Sequence, residues 1–223
     1  GKMACGIADD MLSTTVMATK APVLVVPAMN TNMYENGIVQ RNIRTLREVG
    51  YTVMEPEEGH LACNTSGKGR FPKTDVILSA AEKILFGKHL LQGKKVIISA
   101  GGTQENIDPV RYIGNRSSGK MGYAIARAAA MEDAEVTLVS CTTELPVPEG
   151  VTVCYVKNAR DLQREMDARF DDCDVAIMAA AVSDYRTKTE ATQKIKKEAC
   201  DSLTIELELN PDILYGLGQK KKG

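Results

Sequence analysis

The feature that most constrains the fold is a β-branched run that ends in two adjacent glycines. Residues 96–100 read Val-Ile-Ile-Ser-Ala and lead into Gly101 and Gly102. An Ala-rich run follows at 123–131. β-Branched residues favour a strand, and alanine favours a helix. The order of strand, glycine turn, polar loop and helix is typical of an α/β domain.

The polar loop 115–122, Asn-Arg-Ser-Ser-Gly-Lys-Met-Gly, suits an anion. Adjacent glycines can take positive φ and turn backbone N–H groups towards a phosphate. Asn115 and Ser117 are natural N-cap residues, and a helix start attracts negative charge. Gly119 and Gly122 remove side chains where a ligand or strand comes close. From the pattern alone, a phosphate site and a plain Gly/Ser-rich connection are equally open.

Two better-known phosphate motifs are not met. Residues 114–120 fit the first part of a P-loop, but Met121 stands where that motif needs Ser or Thr to bind Mg²⁺. The loop also follows a segment that contains Pro109 and does not read as a strand. The dinucleotide motif G-x-G-x-x-G fails because the two glycines after the strand are adjacent.

Composition excludes several functions. The net charge is −1 and no basic stripe is interleaved with aromatic residues, so we expect no nucleic-acid partner. No apolar run is long enough to cross a membrane, and no signal peptide is visible. The six cysteines form no C-x-x-C pair and there are only two histidines, so no zinc site is predicted. Free thiols indicate a reducing, cytoplasmic compartment.

Strand and helix patterns alternate along all 223 residues. This alternation predicts an α/β protein with two Rossmann-like or flavodoxin-like three-layer parallel-sheet domains. A joint at 87–93 predicts domains at 1–88 and 89–223. Both domains are expected to be incomplete, because each end of the chain falls at a helical pattern. The predicted strands are 23–26, 51–54, 95–99, 135–140, 151–156, 174–178 and 203–207; the predicted helices are 7–20, 36–49, 74–86, 119–132, 159–170 and 211–221.

Two further groups in the second half carry candidate chemistry. The strand at 174–178 and the strand at 95–99 are expected to end at one crevice. Asp184 follows the strand at 174–178. Its carboxylate could bind ribose hydroxyls or a metal ion, or it could equally be a helix N-cap. The run 194–197, Lys-Ile-Lys-Lys, fits a polyphosphate, although a solvated charge run is the commoner interpretation.

The first half holds two candidate residues. Asn30 follows a buried strand and fits a carboxylate or a flavin through its amide, or a simple turn. Cys63 lies in a Gly-rich, irregular loop at 58–70, beside Lys68 and Arg70. Nearby positive charge lowers a thiol pKa and would make Cys63 a usable acid or nucleophile. A structural cysteine is the alternative.

Together these residues resemble two enzyme families. The later half of flavin-dependent phosphopantothenoylcysteine decarboxylases is resembled at 7–15, 27–34, 61–63 and 67–70. Phosphopantothenate–cysteine ligase is resembled at 99–103, 108–113, 115–122, 180–186, 194–197 and 210–213. The two are fused, decarboxylase first, in the bifunctional coenzyme A biosynthesis family of bacteria. The resemblance covers essentially the whole chain.

The ligase resemblance implies activation of the 4′-phosphopantothenate carboxylate by CTP with Mg²⁺. An acyl-cytidylate forms, pyrophosphate leaves, and the amine of cysteine displaces CMP. Asn115 would orient the acyl-nucleotide. The resemblance implies further contacts with the nucleotide from Gly101, Ser117, Gly119, Gly122, Met178, Ala179, Ala180, Asp184 and Lys194, and with substrate from Ala180 and Ala181.

The decarboxylase resemblance implies FMN as cofactor. Ala28 would contact the flavin, Asn30 would bind the substrate carboxylate, and Cys63 would donate a proton. The family's catalytic histidine and later lysines have no match here, so we expect a fragment whose longer parent, a homo-oligomer, carries both activities. The alternatives are an NAD(P)-binding Rossmann module and a structural pair of domains without ligand.

Overall fold

The computed structural model describes residues 1–60, 66–197 and 202–221, with only the backbone of His60. The chain divides into two compact units, Gly1–Phe86 and Gly87–Gly223. Within the described residues, no helix is both long enough and apolar enough to cross a membrane.

The first unit is a short parallel strand pair with helices around it. Strands β1 and β2 pair in parallel, and their register aligns Val25 with Val53. Val53 of this pair packs with Tyr34, Ile43 and Leu46 in a small hydrophobic core. The elements of this unit, in order, are a 3₁₀ turn Met3–Cys5, α1 Met11–Ala18, β1 Leu24–Val25, α2 Thr31–Glu35, α3 Gly37–Glu48, β2 Thr52–Val53, β3 Glu57–His60, β4 Ser66–Arg70 and α4 Thr74–Phe86.

The first helix is shorter than the predicted 7–20. Asp10 caps α1, because its side chain accepts from the backbone N–H of Ser13 at 2.7 Å. The hydroxyl of Ser13 accepts in return from the backbone N–H of Asp10 at 3.2 Å, which completes a capping box. The acidic pair therefore precedes the helix instead of lying inside it.

The two described parts of the predicted loop 58–70, residues 58–60 and 66–70, are strands and not irregular chain. Strands β3 and β4 form an antiparallel hairpin in which His60 pairs with Ser66. Glycines normally weaken a strand, but β4 needs them here. A Cβ on Gly69 would lie 2.2 Å from the carbonyl oxygen of Met29, and a Cβ on Gly67 would lie 2.6 Å from Thr31 Oγ1. The glycines thus let the hairpin pack against the chain that follows β1.

The second unit is built on a four-stranded parallel sheet. Its strands are β5 Lys95–Ala100, β8 Glu135–Ser140, β9 Val151–Tyr155 and β10 Val175–Met178. Their spatial order is β10-β5-β8-β9. The first strand in sequence is therefore central, with the next two on one side and the fourth on the other.

Helices cover both faces of this sheet. Val96, Ile98 and Ala100 point to one face and pack with helix α5, Lys120–Met131. Ile97 points to the other face, where it packs with α6 (Ala159–Phe170) and α7 (Ile213–Lys220). This alternation explains why residues 96–98 of β5 are all apolar, and it confirms the three-layer α/β architecture of this unit.

Two small antiparallel strand pairs, which the sequence patterns did not predict, lie outside the sheet. Strands β6 Gln104–Asn106 and β7 Tyr112–Gly114 pair antiparallel, as do β11 Tyr185–Thr187 and β12 Leu207–Leu209. The prediction that the segment around Pro109 is not strand was wrong for its flanks, since the proline occupies the turn. The strand predicted at 203–207 was misplaced, and it pairs with β11 instead of joining the main sheet.

Candidate functional site

The crevice of the second unit lies at the carboxyl ends of β5 and β10. Strand order reverses between these two strands, and open α/β sheets bind ligands at such a switch point. The backbone joins the two ends: Ala181 N–H donates to the Gly101 carbonyl at 2.8 Å, and Thr103 N–H donates to the Ala181 carbonyl at 3.1 Å. The structure therefore brings the glycine turn and the small residues after β10 together.

A buried serine holds the turn after β10. Ser99 is fully buried, and its Oγ accepts from the backbone N–H groups of Ala179 and Ala180, each at 3.1 Å. The same hydroxyl donates to the sulfur of Met178 at 3.6 Å. Ser99 was missed as a site residue; its signal was a hydroxyl inside an otherwise apolar strand. Because Ser99 Oγ already accepts from these two N–H groups, the predicted contacts of Ala179 and Ala180 with a nucleotide would have to use other atoms.

Glycines bring the start of α5 against the end of β5. Gly101 and Gly119 have φ of 86° and 76°, which disfavours any side chain. A Cβ on Gly119 would lie 3.2 Å from Gly101 N, and a Cβ on Gly122 would lie 2.5 Å from Ala100 Cβ. The close approach is therefore possible only with hydrogen at these positions.

The N-terminal turn of α5 is open to an anion. Its N-cap is Gly119, which provides no side-chain cap. Ser117 Oγ accepts from Gly119 N–H at 3.4 Å, one residue before the helix. Because the first turn of a helix has unpaired N–H groups and a positive dipole end, this turn suits a phosphate.

Asn115 is placed over the crevice by the β6–β7 hairpin. Its Nδ2 donates to the carbonyl oxygen of Ala181 at 3.0 Å. Because a carbonyl oxygen only accepts, the amide nitrogen must face Ala181, and this fixes the side chain's orientation. A Cβ on Gly102 would lie 2.8 Å from the Asn115 carbonyl oxygen, so the second glycine lets the hairpin return this close.

Asp184 and Lys194 are both exposed. Asp184 precedes β11, so the N-cap interpretation was wrong. Its neighbour Ser183 donates its backbone N–H to Thr103 Oγ1 at 2.9 Å, which ties Asp184 to the end of β5. Within the described ranges, no group of three or more His, Cys, Asp or Glu side chains is arranged to hold a metal ion.

In the first unit, the residues after β1 form one edge of a second candidate site. Ala28 is exposed and Asn30 is half-buried. Asn30 caps α2, because its Oδ1 accepts from the backbone N–H of Asn32 at 2.9 Å. The Asn30 oxygen therefore makes a local contact, which agrees with the turn interpretation. Only the amide nitrogen of Asn30 could donate to a substrate carboxylate. Cys63 lies outside the described residues.

Glu55 ties the base of that hairpin to the helices. Its carboxylate accepts from Lys68 Nζ at 2.7 Å, from the Tyr34 hydroxyl at 2.6 Å and from Arg47 Nη2 at 2.6 Å. These donors, Lys68 first, lower the pKa of Glu55 to about 2. The Lys68 ammonium also lies 5.5 Å from the centre of the Tyr34 ring. The structure pairs Lys68 with Glu55, and the predicted effect of Lys68 on the Cys63 thiol stays a prediction because Cys63 lies outside the described residues.

Comparison with known proteins identifies both units. A family model described as "DNA/pantothenate metabolism flavoprotein C-terminal domain" matches residues 91–223, and one described as "Flavoprotein" matches residues 1–85. The Coenzyme A biosynthesis bifunctional protein CoaBC of Bacillus subtilis is 45% identical over 225 residues, covering 100% of this chain and 55% of that protein. The chain thus spans about half the length of the curated relatives it matches.

Solved structures agree with these matches. The crystal structure of the C-terminal domain of Coenzyme A biosynthesis bifunctional protein CoaBC has a TM-score of 0.51 and 45% identity, covering 59% of this chain and 61% of that one. The DNA/pantothenate metabolism flavoprotein from Streptococcus pneumoniae has a TM-score of 0.50 and 27% identity, covering 57% and 65%. The chain therefore belongs to the family described as DNA/pantothenate metabolism flavoprotein C-terminal domain, and a segment that matches the Flavoprotein family model precedes that domain.

Proposed function

We propose that residues 89–223 belong to a phosphopantothenate–cysteine ligase that binds CTP in the crevice between β5 and β10. The observation that carries this proposal is the junction of Gly101, Ala181 and Asn115 at the switch point of the sheet. Relatives with 45% identity over the whole chain are bifunctional proteins of coenzyme A biosynthesis, which agrees with such a role.

The residues of the crevice match the charge changes of this reaction. Attack of a carboxylate on a nucleotide phosphate brings anions together, and N–H groups and cations offset that charge. The open first turn of α5 and the turn at Gly101 would hold phosphate oxygens. Lys194 would supply a cation. The fixed amide of Asn115 would hold the acyl-nucleotide while the cysteine amine attacks.

Magnesium would enter with the nucleotide. Mg²⁺ is usually bound by substrate phosphates and one or two carboxylates, with water completing the shell. Asp184 is an exposed carboxylate beside the crevice and suits one such contact. A dedicated protein cage is not needed for this mode of binding.

We also propose that residues 1–88 belong to an FMN-dependent decarboxylase acting on 4′-phospho-N-pantothenoylcysteine. The residues present fit one edge of a flavin site, because Ala28 leaves an exposed, small side chain at the carboxyl end of the parallel pair. FMN, when bound, supplies the oxidation of the cysteine thiol that makes loss of CO₂ easy. Asn30 would bind the substrate carboxylate through its amide nitrogen, and Cys63 would donate a proton.

Calorimetric titration of the chain separates the candidate functions. CTP with Mg²⁺ is expected to bind, and Gly119→Ala is expected to abolish binding because its Cβ would meet Gly101 and Thr142. The matched control is Gly218→Ala, which adds a Cβ with nothing within 4 Å. Binding of NAD or NADP in place of CTP would favour the dehydrogenase-like module, and binding of no nucleotide would contradict the ligase proposal.

A further inference from the structure

An ion pair between the buried Asp108 carboxylate and the partly exposed Arg111 connects two of the segments proposed to act on the nucleotide. Asp108 lies in the turn between β6 and β7, and its side chain is fully buried. Lys194 lies on a segment that follows β11 and has no regular secondary structure at 191–197. The ion pair contacts this second segment at Ile195, the immediate neighbour of Lys194.

Asp108 uses both carboxylate oxygens. Oδ1 accepts from the backbone N–H groups of Val110 at 2.8 Å and Arg111 at 2.9 Å, which shapes the turn. Oδ2 accepts from Arg111 Nε at 3.0 Å, from Arg111 Nη2, and from the backbone N–H of Ile195 at 3.1 Å. The guanidinium and these N–H groups hold the pKa of Asp108 well below its usual range, so it remains a carboxylate.

Arg111 also binds the backbone of Ile195. Its Nη2 donates to the carbonyl oxygen of Ile195 at 2.9 Å. Both backbone polar groups of Ile195 are therefore bound by one ion pair. Upstream, Ala191 N–H donates to the Ile107 carbonyl at 3.0 Å, so the segment is tied to the β6–β7 turn at two places.

The consequence concerns Lys194. A lysine on an irregular segment has wide freedom, and freedom lost on binding weakens affinity. Fixing the backbone one residue away limits where the ammonium can reach. The same hairpin carries Asn115 into the crevice at 3.0 Å from Ala181. The β6–β7 hairpin and its turn thus influence the positions of both the Asn115 amide and the Lys194 ammonium.

We propose that Asp108 is a positioning residue that fixes the Lys194 segment relative to Asn115, so that the lysine meets the nucleotide phosphates. Asp108 acts through Ile195 and Arg111 and does not itself touch the nucleotide. The role in nucleotide binding rests on the ligase function proposed above. The mechanical part of the proposal, that Asp108 fixes the backbone of the Lys194 segment, concerns the chain alone.

The first experiment needs no ligand. Hydrogen exchange of Asp108→Asn is expected to accelerate at Ile195 and its neighbours while β5 and β8 keep their protection, because the amide cannot accept from all the donors at Oδ2. If Asp108→Asn does not fold, Arg111→Lys replaces it in the experiment. Lysine keeps the positive charge but lacks the guanidinium that contacts both Asp108 and the Ile195 carbonyl oxygen. Unchanged exchange at Ile195 in a folded variant would overturn the proposal.

The second experiment measures affinity for CTP with Mg²⁺ by calorimetry. Asp108→Asn and Lys194→Ala are each expected to weaken binding by about tenfold, and the double variant by little more than either, because the two act through one contact. Multiplied effects in the double variant, or no effect of Lys194→Ala, would overturn the positioning role. Absence of CTP binding by the unmodified chain would instead count against the ligase proposal and leave the exchange result to decide the mechanical part.

A matched control is available on the same hairpin. Glu105 is also buried, and its Oε1 accepts from the backbone N–H of Ala159 at 2.9 Å, away from the Lys194 segment. Glu105→Gln is expected to leave CTP affinity and exchange at Ile195 unchanged. A loss in this control equal to that in Asp108→Asn would show a general effect of disturbing the hairpin and would overturn the specific role of Asp108.

Discussion

Replacing Gly122 with alanine tests the close approach of α5 to β5. Gly→Ala in an exposed helix normally stabilises by about 0.5–1 kcal/mol, because it restricts the unfolded chain. Here the new Cβ would lie 2.5 Å from Ala100 Cβ and 2.9 Å from the Ser99 carbonyl oxygen. These are atoms of a buried strand, which cannot turn aside as a flexible side chain would.

We therefore expect Gly122→Ala to lower the free energy of unfolding, whereas Gly→Ala in an exposed helix raises it. Overpacking of a rigid contact destabilises by about 1–3 kcal/mol, so Gly122→Ala is expected to lose about 1–2 kcal/mol after the gain in helix propensity. Such a loss lowers Tm by about 3–8 °C for a domain of this size. The assay is thermal and urea unfolding followed by circular dichroism, with CTP affinity measured on the folded protein.

The control lies in α7. Gly218→Ala would place its Cβ in open space, and it is expected to be neutral or to stabilise by up to about 1 kcal/mol. A Gly122→Ala variant as stable as the unmodified chain, or more stable, would refute the claim that hydrogen at this position is what lets the helix reach the end of β5.

Three further predictions concern the two proposed sites. Asn115→Asp is expected to spare acyl-cytidylate formation more than product formation, because a carboxylate cannot donate to Ala181 and repels the acyl phosphate; rapid-quench analysis showing equal loss in both steps would contradict the role. Cys63→Ser is expected to release CO₂ without forming the saturated thiol product, because a hydroxyl is a weaker acid than a thiol; thiol formation that keeps pace with CO₂ release would exclude Cys63 as the proton donor. Glu55 has a folded pKa of about 2 against an ordinary 4.5, so its contribution is present above about pH 4.5 and lost as pH falls towards 2. Because it is half-exposed, Glu55→Gln is expected to lower unfolding free energy at pH 6 by no more than about 1 kcal/mol and to have a smaller effect at pH 3; an effect independent of pH would be inconsistent with the ion pairs.

Periodicity predicted the parallel sheet and its covering helices well. The run at 95–99 became β5 (Lys95–Ala100), and the helix predicted at 159–170 has those bounds in the structure. These elements bury one face or both, so their apolar spacing follows directly from packing. The meeting of the glycine turn with the residues after β10 also followed from the rule for parallel sheets.

The hairpins were missed because their order comes from distant contacts. Strands β6 and β7 are three residues each and flank a turn with Pro109, so no periodic signal exists. Strand β4 contains two glycines, which normally argue against a strand, and only the approach of Met29 and Thr31 explains them. Asp108 was noticed only within a motif, because its burial depends on Ile195, far away in sequence.

The central claim is that the crevice between β5 and β10 activates a carboxylate with CTP. Pyrophosphate release should be measured with CTP and Mg²⁺, with and without 4′-phosphopantothenate, before cysteine is added. The measurement uses the chain and a version extended to the full length of its relatives. The account predicts release that depends on phosphopantothenate and falls in Gly119→Ala. Folded protein that releases no pyrophosphate in either form, or that releases it equally without phosphopantothenate, would contradict the account.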